Sequence, residues 1–226
     1  LSNYFKTRIT NTNTIRWKVR AIDSGYKHGS WSVWTTNYQQ SPPAVSNAST
    51  AIRYSTIQAA INAAAAGNVL HVLDGTWGES VNVSSKTNIT LVARAWALSN
   101  RNDRAFIDPA SGAAVVMTNA RGVVVRGLSL KRASEGVAIR GASRSNTIDS
   151  CLIYSNTTGI VDGKNAMKNR YASSWVYRNT GVGVAVGGPG AVVSNLRVFQ
   201  QGTYGISITN GSSNRVIRCV VYSNGT

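Results

Sequence analysis

The sequence predicts an all-β fold, a parallel β-helix in which successive coils stack along one axis. Three observations carry this. Glycine-led strips recur with a period near 23 residues, a second strip of aliphatic and aromatic residues keeps the same period, and a short helix stands directly before the first strand-like run. Composition narrows the rest. The 226 residues include 24 Lys and Arg against 8 Asp and Glu, a net charge of +16. Charged residues make up only 14% of the chain, against roughly 25% in an ordinary globular protein, so the imbalance comes from scarce acids. A cage of several carboxylates around a metal is therefore not expected, whereas an acidic partner is allowed. No apolar run approaches the roughly 18 residues that mark a membrane-spanning helix. Two cysteines, Cys151 and Cys219, make neither a disulfide framework nor a zinc pattern.

Taken in order, the first 44 residues differ in texture from the rest. Ile15, Trp17, Val19 and Ala21 alternate with Arg16, Lys18 and Arg20, the period of a strand with one wet face. Ser24-Gly25 to His28-Gly29 form a turn, and Trp31, Val33 and Thr35 begin a second alternating run. The stretches Trp17 to Asp23 and Gly29 to Trp34 resemble the closing hairpin of a fibronectin type III domain, less than half of such a sandwich. So few strands cannot bury an apolar face alone, so the rest is expected upstream or from another chain. After Pro42-Pro43, residues 45–54 read as a linker.

A helix is expected from Thr56 to Ala66. Ser55-Thr56-Ile57-Gln58 fits a capping box, Ile57, Ala60, Ile61 and Ala64 form one stripe, and Gly67 ends it. The β-helix is then expected over residues 55–226, with Val69-Leu70-His71-Val72-Leu73 as its first strand.

The repeat follows. Gly136, Gly159, Gly183 and Gly205 each open a short apolar strip, at spacings of 23, 24 and 22 residues. The second strip reads Cys151-Leu152-Ile153-Tyr154, Ser174-Trp175-Val176-Tyr177, Leu196-Arg197-Val198-Phe199 and Cys219-Val220-Val221-Tyr222. Asn156, Asn179, Gln201 and Asn224 follow each aromatic by two residues. A leucine-rich repeat would need a Leu-x-x-Leu-x-Leu frame, and helical repeats a 3.6-residue period; neither is present. Coils about 4.8 Å apart explain the columns, because each side chain packs on its equivalent and amides hydrogen-bond along the axis.

Thr56 to Ala64, then Val69 to Val72, then Gly75-Thr76-Trp77-Gly78-Glu79 resemble the entrance to the pectin-lyase-like right-handed parallel β-helix superfamily. The Asn-x-Ile-x-x-Cys-x-Ile-Tyr-x-Asn run from Asn146 to Asn156 resembles its generic coil. The resemblance covers roughly residues 50–226. It implies a right-handed, single-stranded solenoid of six or seven coils whose first coil is closed by the helix. Its motifs are stacking motifs and do not specify an activity.

Glycoside hydrolysis needs paired carboxylates; Asp149 and Asp162 occupy different points of their coils, and His28 and His71 lie elsewhere. A polysaccharide lyase needs a base and a cation to neutralise a uronate. Arg126, Lys131, Lys164, Lys168 and Arg170 are the candidates, with Arg132 beside them. Calcium would enter only with a metal-dependent lyase; otherwise no cofactor or metal is expected. The insertion from Trp96 to Ser111, flanked by Arg94, Arg101 and Arg104 and carrying Asp103 and Asp108, is either a specificity lip or an inert loop. Six Asn-x-Ser/Thr triplets, at Asn47, Asn82, Asn88, Asn156, Asn210 and Asn224, are the number such a composition generates by chance.

Ile153, Val176, Val198 and Val221 are uniformly aliphatic and face the core. Tyr154, Tyr177, Phe199 and Tyr222 then either point outward as a ligand-binding strip or seal a corner of the core. The expected function is an extracellular or cell-surface module that binds carbohydrate or builds an extracellular assembly; the alternative is a polysaccharide lyase on acidic glycans. Nucleic acid is not an expected partner, since no reader motif is present. Nothing after Tyr222 resembles a cap and the chain opens Leu1-Ser2-Asn3. It therefore reads as a piece of a longer chain, or as a unit whose open end a neighbour covers head to tail.

Overall fold

The computed structural model describes residues 15–17, 35–37, 44–94 and 105–225. The chain divides into two compact units, Leu1–Pro42 and Pro43–Thr226. In the first, β1 (Ile15–Trp17) pairs antiparallel with β2 (Thr35–Asn37), Trp17 opposite Thr35. The rest of the fibronectin-like reading, with Trp31 and His28, lies outside the described residues.

The second unit is a right-handed parallel β-helix whose coils contribute strands to three sheets. Sheet I has six strands, beginning at Val81–Ser84; sheet II has seven parallel strands, beginning at Val69–Val72; sheet III has seven, beginning at Gly75–Trp77. Six coils are therefore complete above one partial coil. Residues 45–54 do more than link. β3 (Val45–Asn47) pairs antiparallel with the first strand of sheet II, β4 (Arg53–Tyr54) pairs with β3, and Val45 is fully buried. The segment covers the edge of sheet II, whose unpaired donors and acceptors would otherwise be exposed.

Helix α1 (Ile57–Ala63) performs the same service for sheet I. Its buried residues Ile57, Ala60 and Ile61 form the expected stripe, and its Gln58 side chain pairs with both backbone groups of Asn82, at 3.0 and 2.8 Å, as a strand would. The capping box does not form as expected. Thr56 is the N-cap and accepts from the Ala59 N–H, while Glu79, one coil on, accepts from the N–H groups of Ile57 and Gln58 at 2.7 and 3.0 Å. The helix stops at Ala63, short of Ala66, and Lys86 Nζ donates to the terminal carbonyls of Asn62 and Ala64. Long-range partners supply what a local box supplies elsewhere.

Each sheet presents an inward column, and sheet I a second one through Val81, Val115, Val137, Ile160 and Val184. In sheet III the column runs Ile107, Leu130, Ile153, Val176, Val198 and Val221, in register and buried up to Val198. In the last described coil Val216 and Val221 are 46% and 47% exposed. Sheet II's column is Leu91, Val125, Ile148, Tyr171, Val193 and Val216; sheet I's is Val83, Met117, Ile139, Asp162, Val186 and Ile208. Asp162 and Tyr171, in one coil, are the polar exceptions.

The corners explain the amide column. After each of the last five sheet III strands one residue takes a left-handed conformation: Arg132, Ser155, Arg178, Gln200 and Ser223, with φ of 51 to 55°. That conformation costs roughly 1–2 kcal/mol for a residue with a Cβ. The amide that follows offsets it. Asn156 Oδ1 accepts from the Ala133 N–H at 3.0 Å, Asn179 Oδ1 from the Asn156 N–H at 3.0 Å, Gln201 Oε1 from the Asn179 N–H at 3.2 Å and Asn224 Oδ1 from the Gln201 N–H at 3.1 Å. Side-chain donors continue the ladder from Asn156 to Asn179 and from Asn179 to Gln201. The glycine column sits against it: a Cβ on Gly205 would lie 2.6 Å from Val221 Cγ1 and 2.7 Å from Asn224 Nδ2. The same geometry buries two Asn-x-Ser/Thr asparagines, Asn47 and Asn156, and places Asn224 within the ladder, so none presents a free amide for glycosylation.

Candidate binding surface

The outer face of sheet III carries the aromatic column. From Leu152 onward each strand here has three residues, alternating out, in, out, and the left-handed corner follows at once. The ring therefore leaves outward before the chain turns, and the amide two residues later turns in. Of the two placements expected, the outward one is observed. Tyr154, Tyr177, Phe199 and Tyr222 stack with centroids 5.0, 5.1 and 5.1 Å apart and planes within 8° of parallel. Parallel in-register pairing sets that spacing.

Rings so stacked present their edges, not their faces, to solvent. The edge of an aromatic ring carries its positive potential, so the column favours polar and anionic groups over apolar sugar faces. Lys131 continues the column below Tyr154, and its ammonium lies 4.7 Å from the Phe106 ring centroid. A second outward column holds Leu152, Trp175, Arg197 and Val220. Trp175, 45% exposed, meets Phe199 edge-on at 6.4 Å, with the Arg197 guanidinium over it at 5.1 Å. Trp175 and Arg197 were missed as site residues in the sequence, although the two-residue alternation puts them on the same face as the tyrosines.

The five lyase candidates separate into two groups. Arg126, on the outer face of sheet II, binds Asp149 at 2.9 Å. Lys131 lies 3.8 Å from Asp108, which also accepts from Arg132, and the Arg132 hydrogen bond is the main reason the Asp108 carboxyl is held below its ordinary range. Lys164, Lys168 and Arg170 instead share the corner between sheets I and II. Asp149 and Asp162 do not meet either: Asp149 faces out, whereas Asp162 is buried in the core. There Asp162 Oδ1 accepts from Asn169 Nδ2 at 3.1 Å, and burial, with no cation to offset it, pushes the carboxyl above its usual range. The buried Tyr171 hydroxyl interacts with it, and Asp162 Oδ2 and Tyr171 Oη fall short of good hydrogen-bond geometry. Among the described residues no three His, Cys, Asp or Glu side chains are placed to hold a metal ion, and no helix is long and apolar enough to cross a membrane. From the insertion, Asp108 is described and ion-paired; Arg101, Asp103 and Arg104 lie outside the described residues.

A search of the curated proteins found no match to the sequence. Among solved structures, an alginate lyase from Paenibacillus sp. str. FPU-7 is similar, with 17% identity and a TM-score of 0.57 over 71% of this chain and 72% of that one. At that identity the likeness is one of fold. The family model for the right-handed β-helix region matches residues 113–226, which hold the aromatic column, the amide ladder and the basic corner. The chain belongs to the right-handed β-helix region family.

Proposed function

We propose that the outer face of sheet III binds an anionic polysaccharide extended along the solenoid axis, and that the chain serves as a binding module outside the cell or at its surface. The observation that supports this is the stacked, outward column Tyr154, Tyr177, Phe199 and Tyr222 with Arg197 beside it over Trp175. Ring edges repeat at the strand spacing, so a regular polymer meets the same rings coil after coil. A lyase is the second reading, and the shared fold with an alginate lyase is what favours it. Elimination needs a base beside a uronate-neutralising cation. Arg126 and Lys131, however, lie against carboxylates, and the other three candidates stand at a different corner.

The test is binding of polygalacturonate and alginate by the wild type and by Tyr177→Ala/Phe199→Ala, while ultraviolet absorbance is watched for unsaturated uronate. The variant is expected to lose at least about tenfold in affinity, or 1.4 kcal/mol, with far-ultraviolet circular dichroism unchanged. Equal affinity of the two proteins refutes the binding reading. Product that disappears in Lys164→Gln/Lys168→Gln establishes the lyase instead.

A further inference from the structure

The cations are not evenly balanced over the described surface, because the described carboxylates are already engaged. Glu79 holds the start of α1, Asp108 takes Arg132 and Lys131, Glu135 takes Arg140 at 2.6 Å, Asp149 takes Arg126 and Asp162 lies in the core; Asp74 is not free either. Of the described cations with no carboxylate partner, the largest group, five in all, gathers at one corner, while Arg178, Arg197 and Arg218 lie elsewhere on the coils. Arg121 and Arg144 pair as consecutive bridges in the turn between sheets I and II, below Met167 in the next coil. Lys168 holds the left-handed position beside Met167, Arg170 opens the following strand of sheet II and Lys164 precedes them in the same turn. All five are exposed, and among the described residues none lies within ion-pair distance of a carboxylate. The Arg121 and Arg144 backbones are one strand spacing apart, about 4.8 Å, so two exposed like charges start from neighbouring positions and an anion between them relieves their repulsion.

Each coil has three corners, and this is the one that sheet III does not reach. We infer that it is a second edge for an anionic polysaccharide, so that one module ties two such chains together. The inference rests on the sheet III reading for the first chain only. The coil frame fixes the backbone positions of these residues, so a polymer with one anionic group per sugar that lies along the edge orders only their side chains.

The experiment captures the protein on a surface coated with polygalacturonate and then adds a fluorescent short oligogalacturonate. Wild type is expected to be captured and to retain the oligomer. Arg121→Gln/Arg144→Gln/Arg170→Gln, whose altered side chains make no bonds in the fold, is expected to melt as wild type does and still be captured, yet to lose the oligomer at least tenfold. The salt slope of its solution affinity should fall by about 2 through lost counterion release. Retention of the oligomer equal to wild type overturns the inference. So does loss of all binding in both this variant and Tyr177→Ala/Phe199→Ala, which would mean one continuous site. If the corner variant binds nothing while the aromatic variant binds as wild type, bridging is refuted and the sheet III reading fails with it, leaving the corner as the only site.

Discussion

Replacing Asn179 with Ala should destabilise the solenoid locally and by a predictable amount. Asn179 Oδ1 accepts from the Asn156 backbone N–H at 3.0 Å and from Asn156 Nδ2 at 3.1 Å. The second donor has another acceptor in Leu130 O, and Gln201 Oε1 keeps the Asn179 N–H. One buried N–H is thus left wholly unpaired, Asn156 Nδ2 keeps one of its two acceptors, Gln201 Oε1 keeps one of its two donors, and Ile153 O loses the Asn179 Nδ2 donor. An orphaned buried donor costs about 1–3 kcal/mol and each weakened bond about 0.5–1.5, so about 3 kcal/mol is expected in all. That lowers Tm by roughly 6–12 °C for a domain of this size. Urea denaturation should show a lower midpoint with unchanged slope, and hydrogen exchange should accelerate at the Asn156 amide first. Asn224→Ala makes the same chemical change at a rung that is only part-buried, where water replaces the lost acceptor; less than about 1 kcal/mol is expected there. If the two variants cost the same, the ladder is surface decoration and the reasoning is wrong.

Gly159→Ala places a methyl group 2.6 Å from Val176 Cγ1 and into the Gly183 carbonyl; overpacking of about 3 kcal/mol, read by urea unfolding, is expected, and a neutral result would refute the close approach. Asp162→Asn should be the more stable protein at neutral pH. The native carboxyl titrates above the unfolded one, so as pH rises past the ordinary carboxylate pKa of about 3.9 the unfolded state ionises first and wild type loses stability. The variant's advantage, followed by melting, should grow from that pH upward and vanish below it; an advantage independent of pH would contradict the assignment. Both cysteines are free, Cys151 buried with its thiol pushed up to about 12 and Cys219 only partly covered. Denatured protein should therefore titrate two thiols without reductant, and native protein should react at Cys219 first.

The coil was legible in the sequence because parallel in-register stacking repeats one environment every 22 to 24 residues. Gly136 to Gly205, the aliphatic column through Val176 and the amides from Asn156 to Asn224 each answer a local constraint, so they recur as text. The helix stripe of Ile57, Ala60 and Ile61 was legible for the same reason. What the repeat could not show is everything held by a partner off the beat. Glu79 replaces the local cap of α1, and β3 joins sheet II although its residues read as a linker, because covering a sheet edge is a long-range demand. The direction of the tyrosines depended on where the left-handed corner falls, a single residue after the ring. Once the corner is fixed, stacking turns the ring edges to solvent. Arg121 and Arg144 are spaced by the period itself, yet only the fold shows that no described carboxylate pairs with them. Pattern fixes which residues share a column; the closing of the coil decides which columns face water, and which charges are left without a counterpart.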